Sequence, residues 1–545
     1  MTLIDYCTIL IFIIGMLLAG LSFSGKGTSM KSFFAAGGSV PWGISGLSLF
    51  MGFFSAGTFV VWGSIAYTNG LVAITIQTTM CIAGFLVGAY IAPRWHKTGA
   101  LTAAEYITKR FGVKTQKSYT YLFLLISLFT TGSFLYPIAK IVEVSTGFNL
   151  YYSILILGVV CILYVALGGL WAVVITDVLQ FVILTVAVLI TVPLSLDKIG
   201  GIEHLFSGAP DGFFDPVNSE YTWGFIIAFG LYNAIFIGGN WAYVQRYTSV
   251  KSGKDSKKVG FLFGSLYMIC PILWMLPPMI YRIYNSELTG LADEGAYLLM
   301  CKEALPNGLL GLMLGGMIFA TASSLNSTLN ISAGVFTNDV FKNFWPQSSE
   351  KTLMRVAKLS TLFFGLLAIC VALLIPKMGG IVNVVISVAA LTGVPLYLPV
   401  IWSLFSKYQT KHFILTVTIV SLFVNAFFKF VYPLMGDALT RTEEMVLGVA
   451  FPVCLLAIYE LHARVKHRID PDYTIYLELR LQEVPTSGDS SNNRLGIKVI
   501  GVGVNTTGVL ISILGIFANH SNGLVLSFGV GLLVVGSILL YLNRK

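Results

Sequence analysis

GLSLFMGFFSAGTFVVWGS, residues 46–64, is apolar enough to lie in lipid yet carries Gly52, Ser55, Gly57 and Thr58 at its middle. Glycine there lets a helix unwind or lets another backbone come close. FGLYNAIFIGGNWAY, residues 229–243, repeats the pattern with Asn233 and Gly238-Gly239-Asn240. Either segment alone reads first as close helix packing. Two Gly-interrupted spans at corresponding positions instead point to inverted repeats, in which unwound carbonyls near the midplane bind ions or solute.

Composition places both segments in a membrane. Hydrophobic residues make up 56% of the 545 and charged residues 11%, against roughly 25% charged in soluble domains. Apolar runs of about 20 residues cross a hydrocarbon core of ~30 Å. Such runs fall near 5–23, 43–67, 71–93, 118–145, 149–167, 171–194, 221–243, 259–282, 307–340, 356–376, 380–404, 413–435, 444–461, 496–517 and 521–542, fifteen in all. The two broken segments are the second and seventh, so they cross in opposite senses.

Most of the 34 lysines and arginines fall in alternate loops. That bias predicts an N-terminus outside and a C-terminus in the cytoplasm. The net charge of +9 then faces the anionic inner leaflet rather than nucleic acid. MTLIDY at the start has no basic region typical of a cleaved leader. The seven cysteines show no CxxC pair and read as small packing residues. The loop 462–495, with PTSGDSSNNR, reads as a flexible connector.

Two further features carry chemistry. In ATASSLNSTLN, residues 320–330, seven of eleven side chains are hydroxyls or amides: Thr321, Ser323, Ser324, Asn326, Ser327, Thr328 and Asn330. Na+ is a hard cation that takes oxygens in place of its water shell. Ser323, Ser324 and Ser327 share one helical face, and an unwound partner could complete the shell. Hydroxyls bonding back to their own helix are the bland alternative. Asp177, in GGLWAVVITDVLQFVILTVAVLI, is an intramembrane carboxylate without a nearby base in sequence. Such a group implies a cationic partner, Na+ or a proton, or else a wet vestibule. Lys140 and Glu143 read as an interfacial pair. Scattered histidines and the lack of a phosphate-binding loop in a suitable context give no support for an enzyme or an ATP-driven pump.

FFAAGGSVPWGISGLSLF (33–50), LTAAEYITKRFG (101–112), GGLWAVVITDVLQ (168–180), VQRYTS (244–249) and ATASSLNSTLNISAGVFTNDVF (320–341) together resemble the sodium:solute symporters, over residues of about 30 to 410. The resemblance implies an all-α membrane protein with the leucine-transporter fold: a five-plus-five inverted-repeat core, one N-terminal extra helix and about four C-terminal ones. It divides the chain into 1–42, a transport core 43–404, and C-terminal helices 405–545. It implies a shared sodium site made of the carbonyls of Met51, Phe54 and Ala320 with the hydroxyls of Ser323 and Ser324. Some members hold a second sodium, here implying Asp177, Ser323, Asn326 and Ser327, although Asn326 stands where sialic acid symporters have a serine.

Substrate residues match the branches of that family less well. Gly57-Thr58 replaces the Glu-Gln of the sugar branch, Gln77 replaces its acid, Tyr267 its lysine, and Phe53 an aspartate of the proline branch. Ser55, Thr58 and Gln77 match the sialic acid symporters, but LFTT at 128–131 lacks their carboxylate-binding arginine. The pocket implied is uncharged: Ser55, Thr58, Gln77, Asn233 and Tyr267, with Phe236 as a lid. The expected function is Na+-coupled symport of a small neutral polar solute, sugar- or polyol-like, by a multi-pass protein of the cell membrane, with no obligate protein partner. A transporter-like sensor, or a symporter for a carboxylate such as sialic acid or a monocarboxylate, is the alternative.

Overall fold

A computed structural model describes residues 1–21, 40–100, 102–164, 170–482, 491–516 and 522–543. Apart from a few terminal residues and interruptions in the second and seventh, the described parts of the fifteen apolar runs are helical. Among the described residues, ten helices are long and apolar enough to cross a membrane, and one further pair, Trp223–Gly239 and Trp241–Thr248, bends by 59° at Asn240. Shorter apolar helices, Leu3–Met16, Trp42–Met51, Leu150–Val159 and Leu309–Ala322, occupy the remaining positions. The fold is therefore an all-α, multi-pass membrane architecture.

Both predicted interruptions are present. The second span is helical over Trp42–Met51, leaves the helix after Met51, and resumes in a π-helical turn, Thr58–Trp62, followed by Gly63–Asn69. The seventh breaks at Asn240, whose extended backbone (ψ 130°) ends one half, while its side-chain oxygen accepts from the Ala242 N–H at 3.0 Å to cap the next. A side-chain cap here replaces the helical acceptors lost at the break.

The halves that follow and precede these breaks are tied together. Ser45 Oγ donates to the Arg246 carbonyl at 2.8 Å, and the Val40 N–H to the Ser249 carbonyl at 3.0 Å. Trp42–Met51 and Trp241–Thr248 are thus linked by hydrogen bonds at their ends. Elsewhere small residues bring helices close. Gly84 and Gly88 of the third span face Gly260 and Gly264 of the eighth, where an added Cβ at Gly260 would come within 2.5 Å of Gly88 Cα. That spacing is the close-packing mode of membrane helices.

One expectation needs correction. Much of 462–495 is not a loose connector: the thirteenth span continues to Val465 and Pro471–Gln482 is helical. Asp470 forms an ion pair with Arg110 (2.5 Å), and Tyr476 packs edge-on against Tyr106. Tertiary contacts to the short helix Ala103–Phe111 override the polar, loop-like composition. Residues 483–490, within the remainder of that connector, lie outside the described ones.

Candidate sodium and solute site

The serine-rich ninth span, Leu309–Val335, runs past the break of the second. Thr321 makes the junction. Its hydroxyl donates to the Met317 carbonyl at 2.8 Å and accepts from the Ala56 N–H at 2.7 Å. Ala56 starts the second half of the broken span, where an N–H has no helical acceptor, so Thr321 supplies one. Ala320, adjacent to Thr321, is 1% exposed, and Met51 and Phe54 are buried on the other side of the junction. Ser324 Oγ donates to the Ala320 carbonyl at 3.3 Å. The side chains of Ser323, Asn326 and Ser327 lie outside the described residues.

Thr321 was not singled out for a role in the sequence, though it stands within the hydroxyl cluster. Thr321→Val removes the acceptor for a buried N–H at little change of shape. Its expected cost is about 1–3 kcal/mol, read as a lower melting temperature and a weaker response to Na+. Thr321→Ser should retain both.

Asp177 has a partner from another span. Ser48 Oγ donates to its carboxylate at 2.6 Å, and Arg246 Nη2 lies 4.0 Å away. Arg246 Nε also reaches Ser48 Oγ at 3.4 Å, and Nη1 donates to the Ala242 carbonyl at 3.0 Å. The cation that a membrane carboxylate requires is therefore supplied by VQRYTS, a motif noted in sequence without this role. Lys140 and Glu143 pair at 2.8 Å, as read from their spacing.

A cavity of about 90 Å³ lies on the Arg246 side of both breaks, lined by Ser48, Gly52, Asp177, Phe236, Arg246 and Ser324 among others. It brings together one ligand from the sodium assignment, the Asp177 pair and the expected lid, Phe236. The other expected solute residues do not line it. Ser55, Thr58, Gln77, Asn233 and Tyr267 are each 3% exposed or less. Thr58 donates to the Phe53 carbonyl and accepts from the Ser55 N–H, while Asn233 donates to Thr79 Oγ1 at 2.9 Å. Phe53 bridges the two groups, with its ring 6.2 Å from Phe236 and 6.4 Å from Tyr267. All five are thus buried away from the cavity, and Thr58 and Asn233 are turned toward protein partners.

The opposite face is closed by a strap that the sequence reading missed. Glu294, between the eighth and ninth spans, accepts from the Tyr136 hydroxyl at 2.8 Å and the Ile381 N–H at 2.9 Å. Its neighbour Asp293 accepts from Ser64 Oγ at 2.7 Å. One short segment thereby holds the second, fourth and eleventh spans. Consecutive acids in LADEGAY were the available signal. Burial raises the pKa of both acids. A raised folded-state pKa favours the protonated form, so the strap gains stability as pH falls through that pKa and loses it as pH rises. Glu294→Ala strands two buried donors, and the melting temperature should fall accordingly. Glu294→Gln, which keeps an acceptor and can donate to the tyrosine oxygen, should recover most of the loss.

Two discontinuous helices meeting a hydroxyl-rich span, inside a multi-pass bundle, define a membrane transporter architecture. The chain belongs to the sodium:solute symporter family, whose sequence profile matches residues 33–421. It is 28% identical over 479 residues to a sodium/glucose cotransporter of Vibrio parahaemolyticus, covering 81% of this chain and 86% of that one. It is 29% identical over 404 residues to sodium/glucose cotransporter 1 of Mus musculus, covering 65% and 60% respectively. Sodium/myo-inositol cotransporter 2 of Bos taurus is 28% identical over 407 residues, covering 67% and 60%. The chain therefore spans about 60% of the length of these mammalian relatives. Among solved structures, a substrate-bound outward-open Na+-coupled sialic acid symporter superposes with a TM-score of 0.69 at 24% identity, covering 84% of this chain and 98% of that one. The fold is shared with that protein.

Proposed function

We propose that this protein is a Na+-coupled symporter that brings a small neutral polar solute, of the sugar or polyol class, into the cell by alternating access. It would sit in the cell membrane with its N-terminus outside and its C-terminus in the cytoplasm, as the charge bias favours. Residues 43–404 would form the five-plus-five core. Na+ would be held by the carbonyls of Met51, Phe54 and Ala320 and the hydroxyls of Ser323 and Ser324. The observation that carries this reading is the Thr321–Ala56 hydrogen bond of 2.7 Å, which seats the helix break against the serine-bearing span beside Ala320. Na+ bound across that junction would favour one arrangement of the two elements, which is how an ion shifts a conformational equilibrium.

Solute would bind across the aromatic layer from Phe236 to Tyr267, recruiting Ser55, Thr58, Gln77 and Asn233, with Thr58 and Asn233 exchanging the protein partners they hold here. A neutral solute is favoured because this set carries no charge, and burying an unpaired carboxylate there is costly. The relatives named for glucose and myo-inositol point to the same class. Coupling requires that Na+ and solute raise each other's affinity by the same factor. Each Na+ entering down ~100 mV contributes about 2.3 kcal/mol, apart from its concentration gradient.

Thermal stability against neutral sugars, polyols, nucleosides and carboxylates, each in NaCl and in choline chloride, tests the reading. A ligand that binds the native state raises its melting point. The expected result is stabilisation by a neutral polyhydroxy compound only with Na+ present. Stabilisation by a carboxylate alone would move the substrate class, and stabilisation that ignores Na+ would remove the coupling.

A further inference from the structure

A second cavity, of about 370 Å³, lies away from the transport site between the loop after the eleventh span and the end of the thirteenth. It is lined by Phe405, Lys407, Tyr408, Glu460, Arg464, His467 and Tyr473. Its charges do not balance. Glu460 is matched by Arg464 at 3.0 Å and accepts from Ser406 and Gln409. The acids nearby have their own cations: Asp470 pairs with Arg110 at 2.5 Å and Asp472 with Lys411 at 3.1 Å. Lys407 and His467 therefore face the cavity without an acid of their own among the described residues. Arg464, 60% exposed, keeps donors free beyond the one it gives Glu460.

The backbone at His467 is unusual. It is the one non-glycine residue with positive φ (49°) among those described. The Arg468 N–H bonds to the Ala463 carbonyl and the His467 N–H to the Arg464 carbonyl, the paired bonds of a Schellman helix end, whose left-handed position ordinarily takes glycine. A histidine kept at some conformational cost supplies a side chain to the cavity mouth. Beside Arg464 on the same helix, Ile458, Leu461 and Val465 recur at helical spacing and are 65%, 63% and 79% exposed. They form an apolar track leading from the cations toward the hydrocarbon.

We infer that Lys407, Arg464 and His467 bind the phosphate of an anionic phospholipid, whose acyl chain follows Ile458, Leu461 and Val465. A phosphodiester accepts charge-assisted hydrogen bonds from all three bases, and basic pockets between membrane helices suit lipid headgroups. Free phosphate shares the headgroup chemistry but has no use for the apolar track. The lipid would bridge the last helix of the proposed core to the C-terminal helices. Assigning it to the inner leaflet rests on the orientation proposed above; the binding itself does not.

The test is titration of the detergent-purified full chain with dioleoyl phosphatidylglycerol, dioleoyl phosphatidylcholine or inorganic phosphate, read as melting temperature. Phosphatidylglycerol should stabilise more than phosphatidylcholine. Lys407→Gln should weaken phosphatidylglycerol binding roughly tenfold, the usual effect of losing one hydrogen bond to a charged group. His467→Gly should raise the baseline melting temperature by relieving the backbone while reducing the lipid increment, which a purely structural histidine would not do. Lys351→Gln, on a different inner loop, should leave the increment intact. Full stabilisation by inorganic phosphate alone would overturn the lipid assignment and leave a phosphate site. Equal increments from the two lipids, or an unchanged increment in both Lys407→Gln and His467→Gly, would overturn the site. Because no solute or Na+ gradient enters the assay, its failure is separate from failure of the transport reading.

Discussion

Ser323→Ala combined with Ser324→Ala raises the Na+ concentration for half-maximal uptake by roughly tenfold or more, the equivalent of about 1.4 kcal/mol of lost ion binding. Two hydroxyls would leave the proposed coordination shell together, and the three carbonyls that remained would supply too few oxygens to replace the hydration of the ion. Because coupling is reciprocal, the apparent solute affinity at fixed Na+ falls as well, whereas solute binding at saturating Na+ is restored. Ser324→Ala also removes a donor to the Ala320 carbonyl (3.3 Å), so its melting temperature without Na+ separates a structural effect from an ionic one. An unchanged Na+ dependence in the double variant would remove these serines from the site.

Arg246→Ala has the largest expected effect on stability. It leaves the Asp177 carboxylate, 5% exposed, without the guanidinium 4.0 Å away. Breaking one side of a buried pair costs about 3–5 kcal/mol. The same change takes the side-chain bond from Ser48 and the bond to the Ala242 carbonyl. Asp177→Asn with Arg246→Ala removes both charges and should be milder than Arg246→Ala alone, which a double-mutant cycle on melting temperature reads directly. Additive losses would show that the two residues are not coupled. Na+ enters the same experiment. If Asp177 holds the second sodium with Ser323, Asn326 and Ser327, NaCl should rescue Arg246→Ala more than wild type, and Asp177→Asn should lower the number of Na+ moved per solute. Unaltered stoichiometry in Asp177→Asn would assign the carboxylate to the Arg246 pair alone.

The fold was legible because its strongest determinants are local. A run of about 20 apolar residues needs no partner to be recognised, and Gly52 and Gly238-Gly239-Asn240 mark the breaks in the chain itself. What remained hidden depends on contacts between distant segments. Asp177 gave no sign that Arg246 would stand beside it, because the two lie on different spans. In sequence Thr321 is one hydroxyl among several; only the fold sets the N–H of Ala56 against it. Pro471–Gln482 reads as loop by composition and is helical in the company of Ala103–Phe111. The solute residues are the least legible part. Asn233 and Thr58 bond to Thr79 and to their own segment's backbone in this structure, so their direction toward a ligand would belong to another conformation.

The proposed function is Na+-driven entry of a neutral polar solute. Its most direct measurement is uptake of radiolabelled hexoses and polyols into proteoliposomes, with Na+ outside, choline inside, and an inside-negative potential imposed. Accumulation above equilibrium is expected, rising with the potential and abolished when choline replaces Na+ outside. Uptake that only equilibrates, or that accumulates equally without Na+, would contradict it.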